Sequence, residues 1–299
     1  MKKKFMSIAL ASVMALSLAG CGGSAGGTTT AADTTAAAPA DTTAEASSED
    51  TTAADNTSAE AAEATESAGG TLIVGFDQDF PPMGFIGDDG EFTGFDLELA
   101  QEVAKRLGLE YKPQPIAWDA KDMELEAGNI DCIWNGFTMT GREDDYAWTD
   151  AYMANTQVFV VAKDSGIASQ ADLAGKVVEC QVDSSAEAAL KEVPDLTATF
   201  KELLTTADYN TAFMDLEQGA VDAIAMDVIV AGYQIQQRNA DFVILEDTLS
   251  AEEYGVGFKK GNTELRDKVQ ATLEEMAADG TLKSISEKWF GEDVTTIGK

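Results

Sequence analysis

The sequence predicts an α/β fold on mainly parallel sheets. Short apolar, strand-like runs alternate with stretches of helical period between residues 71 and 246. Two helical stretches stop at Gly108 and Gly128, and glycine is the usual residue just past a helix end. Strand and helix follow each other repeatedly, which is the order of βαβ units rather than of hairpins.

Residues 71–76 (Thr-Leu-Ile-Val-Gly-Phe) form the first strand. Asp96 is placed to N-cap a helix with Leu97, Ala100, Val103, Ala104 and Leu107 on one face. Residues 111–117 are a strand, 119–127 a helix and 131–137 a buried strand. Strands at 176–181, 196–200, 221–226 and 241–246 then alternate with helices at 185–193, 207–218 and 228–237. Leu265, Val269 and Leu273, with Trp289 and Phe290, pack C-terminal helices onto the core. Ligands of such sheets sit outside the carboxyl ends of strands. That singles out 77–80, 135–142, 183–185 and Asp227.

Composition narrows the chemistry. The 299 residues hold 53 Asp and Glu against 20 Lys and Arg, a net charge of −33, with no His. That charge opposes nucleic-acid binding, which needs a basic face. The lack of His removes Ser-His-Asp and Cys-His catalysis and argues against a typical zinc site. No enzyme activity, cofactor or metal is expected.

The chain divides into unlike parts. Residues 1–20 join Lys2, Lys3 and Lys4 to a 14-residue apolar run from Phe5 to Leu18. That is shorter than the roughly 18 residues a membrane-spanning helix needs, so an export leader is expected. It ends Leu18-Ala19-Gly20-Cys21, which resembles the lipobox of bacterial lipoproteins. The resemblance implies a diacylglycerol on Cys21, whose two chains would make a durable anchor where one is marginal. Residues 22–70 carry nine acids, no base and no large apolar residue. They predict a disordered tether, because nothing offsets the entropy of ordering them. Residues 71–299 are the globular part, with 17 Lys and Arg against 44 Asp and Glu. Its two cysteines, Cys132 and Cys180, lie in separate strand-like runs and are expected as buried free thiols, although an exported pair can also form a disulfide.

Five stretches in order resemble the polar amino-acid-binding proteins of ABC importers. They are Phe80-Pro-Pro-Met-Gly-Phe85 with 90–100; 128–142 (Gly-Asn-Ile-Asp-Cys-Ile-Trp-Asn-Gly-Phe-Thr-Met-Thr-Gly-Arg); 172–177 running on to Ser185; 219–227 (Gly-Ala-Val-Asp-Ala-Ile-Ala-Met-Asp); and 278–282 with Lys288-Trp-Phe-Gly291. The resemblance implies the periplasmic-binding-protein-like type II fold, with two Rossmann-like lobes joined by two crossover strands. Lobe 1 is expected at 71–157 plus 254–299 and lobe 2 at 158–253, with crossings at 157–161 and around 253–257. It implies capture of a polar or cationic L-amino acid by hinge closure and delivery to a membrane permease. The expected setting is the extracytoplasmic face of the cell membrane, as an anchored monomer. A tethered amino-acid sensor, or a dehydratase of the same fold, would use the same lobes.

A free amino acid is a zwitterion, so its receptor needs a fixed cation and a fixed anion facing one point. The resemblance assigns Arg142 to the ligand carboxylate, which a guanidinium holds through two parallel bonds. The plain alternative is a surface pair with Glu143 or Asp144. Ser184 and Glu187 have capping-box spacing, and Ser185 opens a helix whose free N–H groups suit the same carboxylate. Asp227 matches the acid that takes the ammonium, or else caps the next helix. Thr138 and the Gly136 carbonyl add partners, and Asn135 lies at the same strand end. Phe80 and Trp118 match aromatic walls, while Trp134 and Phe137 fit either wall or core. Asp77 can read a cationic side chain, as can Asp79, or both shape a turn.

Overall fold

The computed structural model describes residues 69–238 and 240–299. The expected leader, the lipidated Cys21 and nearly all of the tether lie outside the described residues. In chain order the elements are β1 (Thr71–Phe76), β2 (Asp79–Phe80), β3 (Gly84–Ile86), β4 (Phe92–Thr93), α1 (Phe95–Leu107), β5 (Glu110–Pro115), α2 (Lys121–Ala127), β6 (Cys132–Ile133), β7 (Tyr146–Trp148) and β8 (Met153–Ala162). There follow β9 (Val177–Gln181), α3 (Ser185–Glu192), α4 (Pro194–Thr197), β10 (Glu202–Thr206), α5 (Tyr209–Gln218), β11 (Ala223–Asp227), α6 (Val228–Arg238) and β12 (Phe242–Ile244). The last are β13 (Ser250–Tyr254), β14 (Gly257–Lys259), α7 (Thr263–Asp279) and α8 (Thr281–Phe290).

Two sheets carry the fold. The first has the order β5-β1-β6-β14-β7, the second β10-β9-β11-β8-β12 with β13 also paired to β8. Each has a parallel core, β5-β1-β6 in one and β10-β9-β11 in the other. The remaining strands run antiparallel to their neighbours, so the sheets are less uniformly parallel than the sequence suggests. The α1, α7 and α8 helices cover the first sheet, where Leu72, Val74, Val103, Val269, Leu273 and Leu282 share one core. Leu265, Trp289 and Phe290 pack against it. Each fully buried aliphatic side chain is worth about 1.5–3 kcal/mol.

The chain passes between sheets twice, at 149–152 and at 255–256. The two segments are tied by Thr149 N–H to Val256 O (3.1 Å) and Tyr152 N–H to Tyr254 O (2.9 Å). Residues 157–161, expected as a crossing, instead lie inside β8, registered from Gln157 opposite Asp227 to Val161 opposite Ala223. The run 158–161 is buried at every position, which marks a strand covered on both faces rather than a connector.

Other local expectations shift for visible reasons. The strand expected at 196–200 is a turn of helix, α4, opened by Pro194 at its first position; the strand is β10, which pairs with β9 from Glu202 to Thr206. The strand expected at 131–137 is only β6, because the chain turns off at Gly136, φ 55°. Asp96 does not cap α1, whose N-cap is Gly94. It is fully buried and accepts from Gly136 N–H (2.5 Å) and Tyr152 OH (2.8 Å). Cys132 and Cys180 are buried free thiols in different sheets, as expected. Burial pushes the Cys180 thiol up to about 12.

Candidate functional site

The site is assembled from strand ends. In the first sheet β1 and β6 lie side by side, Gly75 opposite Ile133. Asp77 and Asn135 therefore leave the sheet together, and Asp77 N–H donates to Asn135 Oδ1 (3.0 Å). Trp118 follows β5 in a short 3₁₀ turn. In the second sheet β9 ends at Gln181 and β11 at Asp227. Ser184 caps α3 by accepting Glu187 N–H (3.1 Å).

Asp77, Phe80, Trp118, Asn135, Gly136, Thr138, Arg142, Ser184, Ser185 and Asp227, all singled out from sequence, line one cavity together with Gln181. Asp79 lies outside it, accepting from Asn210 Nδ2 (2.9 Å). Trp134 and Phe137 are fully buried core residues. Phe137 sits in an aromatic cluster with Trp118 (ring centroids 5.6 Å apart), Tyr146 and Trp148.

The charges are uneven. Arg142 lies over the Phe137 ring, its guanidinium carbon 5.4 Å from the centroid, and donates to Thr138 O (3.3 Å). It forms no ion pair among the described residues, so the pairing with Glu143 or Asp144 is not made. Asp227 is 2% exposed. Its Oδ1 accepts from Asn155 Nδ2 (2.7 Å), Gln157 Nε2 (2.8 Å) and Tyr254 OH (2.6 Å). Burial first, and the Glu252 charge second, hold its carboxyl well above the usual range, against the hydrogen bonds from Tyr254 and Gln157. Asp77 accepts from Gln181 Nε2 (2.6 Å) in the other sheet and from Asp79 N–H (2.8 Å). Burial nevertheless pushes it up to about 6.

Sequence reasoning missed Gln181, Asn155, Gln157, Glu252 and Tyr254. One signal was present: Asn155 and Gln157 stand two apart in a strand whose other residues, Thr156 aside, are apolar, which places two amides on one face.

Residues 72–292 match the family described as bacterial extracellular solute-binding proteins, family 3. The chain is 35% identical over 229 residues to the L-cystine-binding protein TcyJ of Escherichia coli (strain K12), covering 76% of this chain and 85% of that one. Among solved structures it is similar to an ABC uptake transporter substrate-binding protein from Streptococcus pneumoniae with bound histidine, at TM-score 0.74 and 37% identity, over 76% of this chain and 94% of that one. An ancestral arginine-binding protein bound to glutamine has TM-score 0.69 and 39% identity, over 75% of this chain and 99% of the other.

Proposed function

The chain belongs to the family 3 bacterial extracellular solute-binding proteins, and from that membership we propose that it captures a polar L-amino acid and hands it to an ABC permease. The observation that carries this is the pairing of an acid-free guanidinium, Arg142, with the buried carboxyl of Asp227 on one small cavity between two sheets. Arg142, helped by the N-terminus of α3 at Ser184 and Ser185, holds the ligand carboxylate. Asp227 and Thr138 take the ammonium, with the Gly136 carbonyl, and Asn135 steadies the strand end beside it. Phe80 and Trp118 enclose the side chain, and Asp77 reads its polar or cationic end. The two lobes, one built on each sheet and joined at 149–152 and 255–256, close on the ligand by a hinge. The protein works as a monomer, changes no bond in the ligand, and is held to the outer face of the membrane through a lipid on Cys21.

The test is the melting point of the full chain with L-cystine, L-arginine, L-histidine and L-glutamine. A ligand that prefers the folded form raises it, by about 2.7 kcal/mol of stability at a hundredfold excess over Kd. No rise with any amino acid removes the reading. Mass spectrometry of the N-terminal peptide tests the lipid on Cys21.

A further inference from the structure

We propose that Glu252 acts with Asp227 as one recognition unit, a carboxyl pair that holds a single proton without ligand and gives it up to solvent when an ammonium group takes its place. This rests on the amino-acid reading above and goes beyond it in naming Glu252 and the proton exchange.

The geometry is specific. Two side-chain amides bridge the two acids. Asn155 Nδ2 lies 2.7 Å from Asp227 Oδ1 and 2.6 Å from Glu252 Oε1. Gln157 Nε2 lies 2.8 Å from each. Asp227 is 2% exposed and Glu252 6%. Two carboxylates this close, out of water, do not both stay ionised unless a cation sits with them. Neither forms an ion pair among the described residues. The groups that face them are Tyr254 OH on Asp227 (2.6 Å), Thr138 OH on Glu252 (2.9 Å), the Tyr209 phenol from α5, and Arg142 across the cavity. Of these only Arg142 is charged, and the proposed function commits it to the ligand carboxylate. Lys191, which lines a neighbouring pocket with Glu252, Arg142, Ser184 and Ser185, is paired with Glu187 (2.7 Å).

The amides add a second observation. Both turn their NH₂ groups to the acids and leave Asn155 Oδ1 and Gln157 Oε1 buried with no partner among the described residues. Thr138 already donates to Glu252, so a ligand ammonium that reaches the Thr138 hydroxyl also reaches the field of the pair. An ammonium offers three donors and a full positive charge. It supplies the cation the pair lacks, and the shared proton passes to buffer. One O–H bond breaks and no covalent bond to the ligand forms.

The test is titration calorimetry of the full chain with the same four amino acids, at one pH, in two buffers of different ionisation enthalpy. The expected result is an observed heat that differs between buffers by roughly one proton released per ligand. Affinity then rises with pH over the range in which the proton is released, by up to about tenfold per unit. Glu252→Gln abolishes the buffer difference and flattens the pH profile, and the 2-hydroxy analogue of a binding amino acid releases no proton. Binding with equal heats in both buffers overturns the inference while leaving the amino-acid reading intact. No binding of any of the four removes both. Because the first measurement uses the unaltered chain, a variant that fails to fold does not decide the outcome.

Discussion

Lys121 and Asp183 are joined between the two sheets: the Lys121 ammonium, 2% exposed, donates to the Asp183 carboxylate and to its backbone carbonyl (3.3 Å). Lys121 opens α2, beside the first sheet, and Asp183 stands in the turn between β9 and α3 of the second. Asp183 takes φ 56°, the one non-glycine residue with positive φ among the described residues. A residue other than glycine costs about 1–2 kcal/mol there. The ion pair, and Glu187 accepting the Asp183 N–H (2.6 Å), hold that turn and with it Ser184 and Ser185 on the cavity.

The pair can be intact only while the sheets stand this close. Asp183→Asn should therefore weaken amino-acid binding about 5- to 30-fold, since it leaves a buried ammonium short of charge while the exposed half of the pair limits the loss. Lys121→Met removes the stranded charge and should largely reverse the effect in the double variant. Titration calorimetry on the four forms checks this; additive effects would show that the two side chains do not act on each other.

Arg142→Ala should raise Kd by roughly 30- to 1000-fold, about 2–4 kcal/mol, the usual cost of leaving a desolvated charge unpaired. Its stability cost should stay near 1 kcal/mol. The side chain contributes only the Phe137 stack and one long bond to Thr138 O, and the Arg142 carbonyl that accepts from Trp148 Nε1 (2.9 Å) survives the change. Urea unfolding and calorimetry on one sample separate the two; unchanged affinity would contradict the carboxylate role.

The sequence was most legible where chemistry and backbone geometry coincide. Strand ends at Asp77, Asn135 and Asp227 follow from apolar runs; Asp77 and Asn135 converge because β1 and β6 are adjacent parallel strands that finish at one edge, whereas Asp227 comes from the second sheet. What did not follow from local pattern is tertiary. Asp96 has the position and type of an N-cap, yet it is drawn into the core by Gly136 and Tyr152, which lie 40 and 56 residues away in sequence. Glu252 reads as one acid among Ser-Ala-Glu-Glu-Tyr, and only the β8–β13 pairing, Asn155 opposite Glu252, brings it to the amides that bridge it to Asp227. Gln181 ends a fully buried strand, where a polar residue is informative, but its partner Asp77 lies in the other sheet.

Asp96 also sets a pH dependence. Burial pushes its carboxyl from 3.8 up to about 7, against the bonds from Gly136 and Tyr152. The folded chain then binds more protons than the unfolded one between those values. Its contribution to stability is largest below about 4, falls as pH rises to about 7, and is level above it. Asp77, pushed up to about 6, acts in the same direction. Asp96→Asn keeps an acceptor and should flatten this slope, whereas Asp96→Ala strands two buried donors and should cost about 1–3 kcal/mol at any pH. Urea midpoints across the range test it; parallel profiles for the unaltered chain and Asp96→Asn would contradict the assignment.

Gly136 tests how rigid the cavity wall is. Its φ of 55° lies in the left-handed region, and an added Cβ would stand 3.0 Å from the Phe80 ring and 3.2 Å from the Tyr254 ring. Gly136→Ala therefore meets backbone strain of about 1–2 kcal/mol and a contact that one ring must relieve by moving. Phe80 is a wall of the cavity, and Tyr254 carries the hydroxyl bound to Asp227 (2.6 Å). Displacing either changes the site directly, so affinity should fall about tenfold or more while stability falls about 1–3 kcal/mol. The Gly136 N–H that donates to Asp96 remains available, so the variant should still fold. If Gly136→Ala loses stability but binds as tightly as before, the rings yield without disturbing Asp227, and the wall does not set the geometry at that carboxyl.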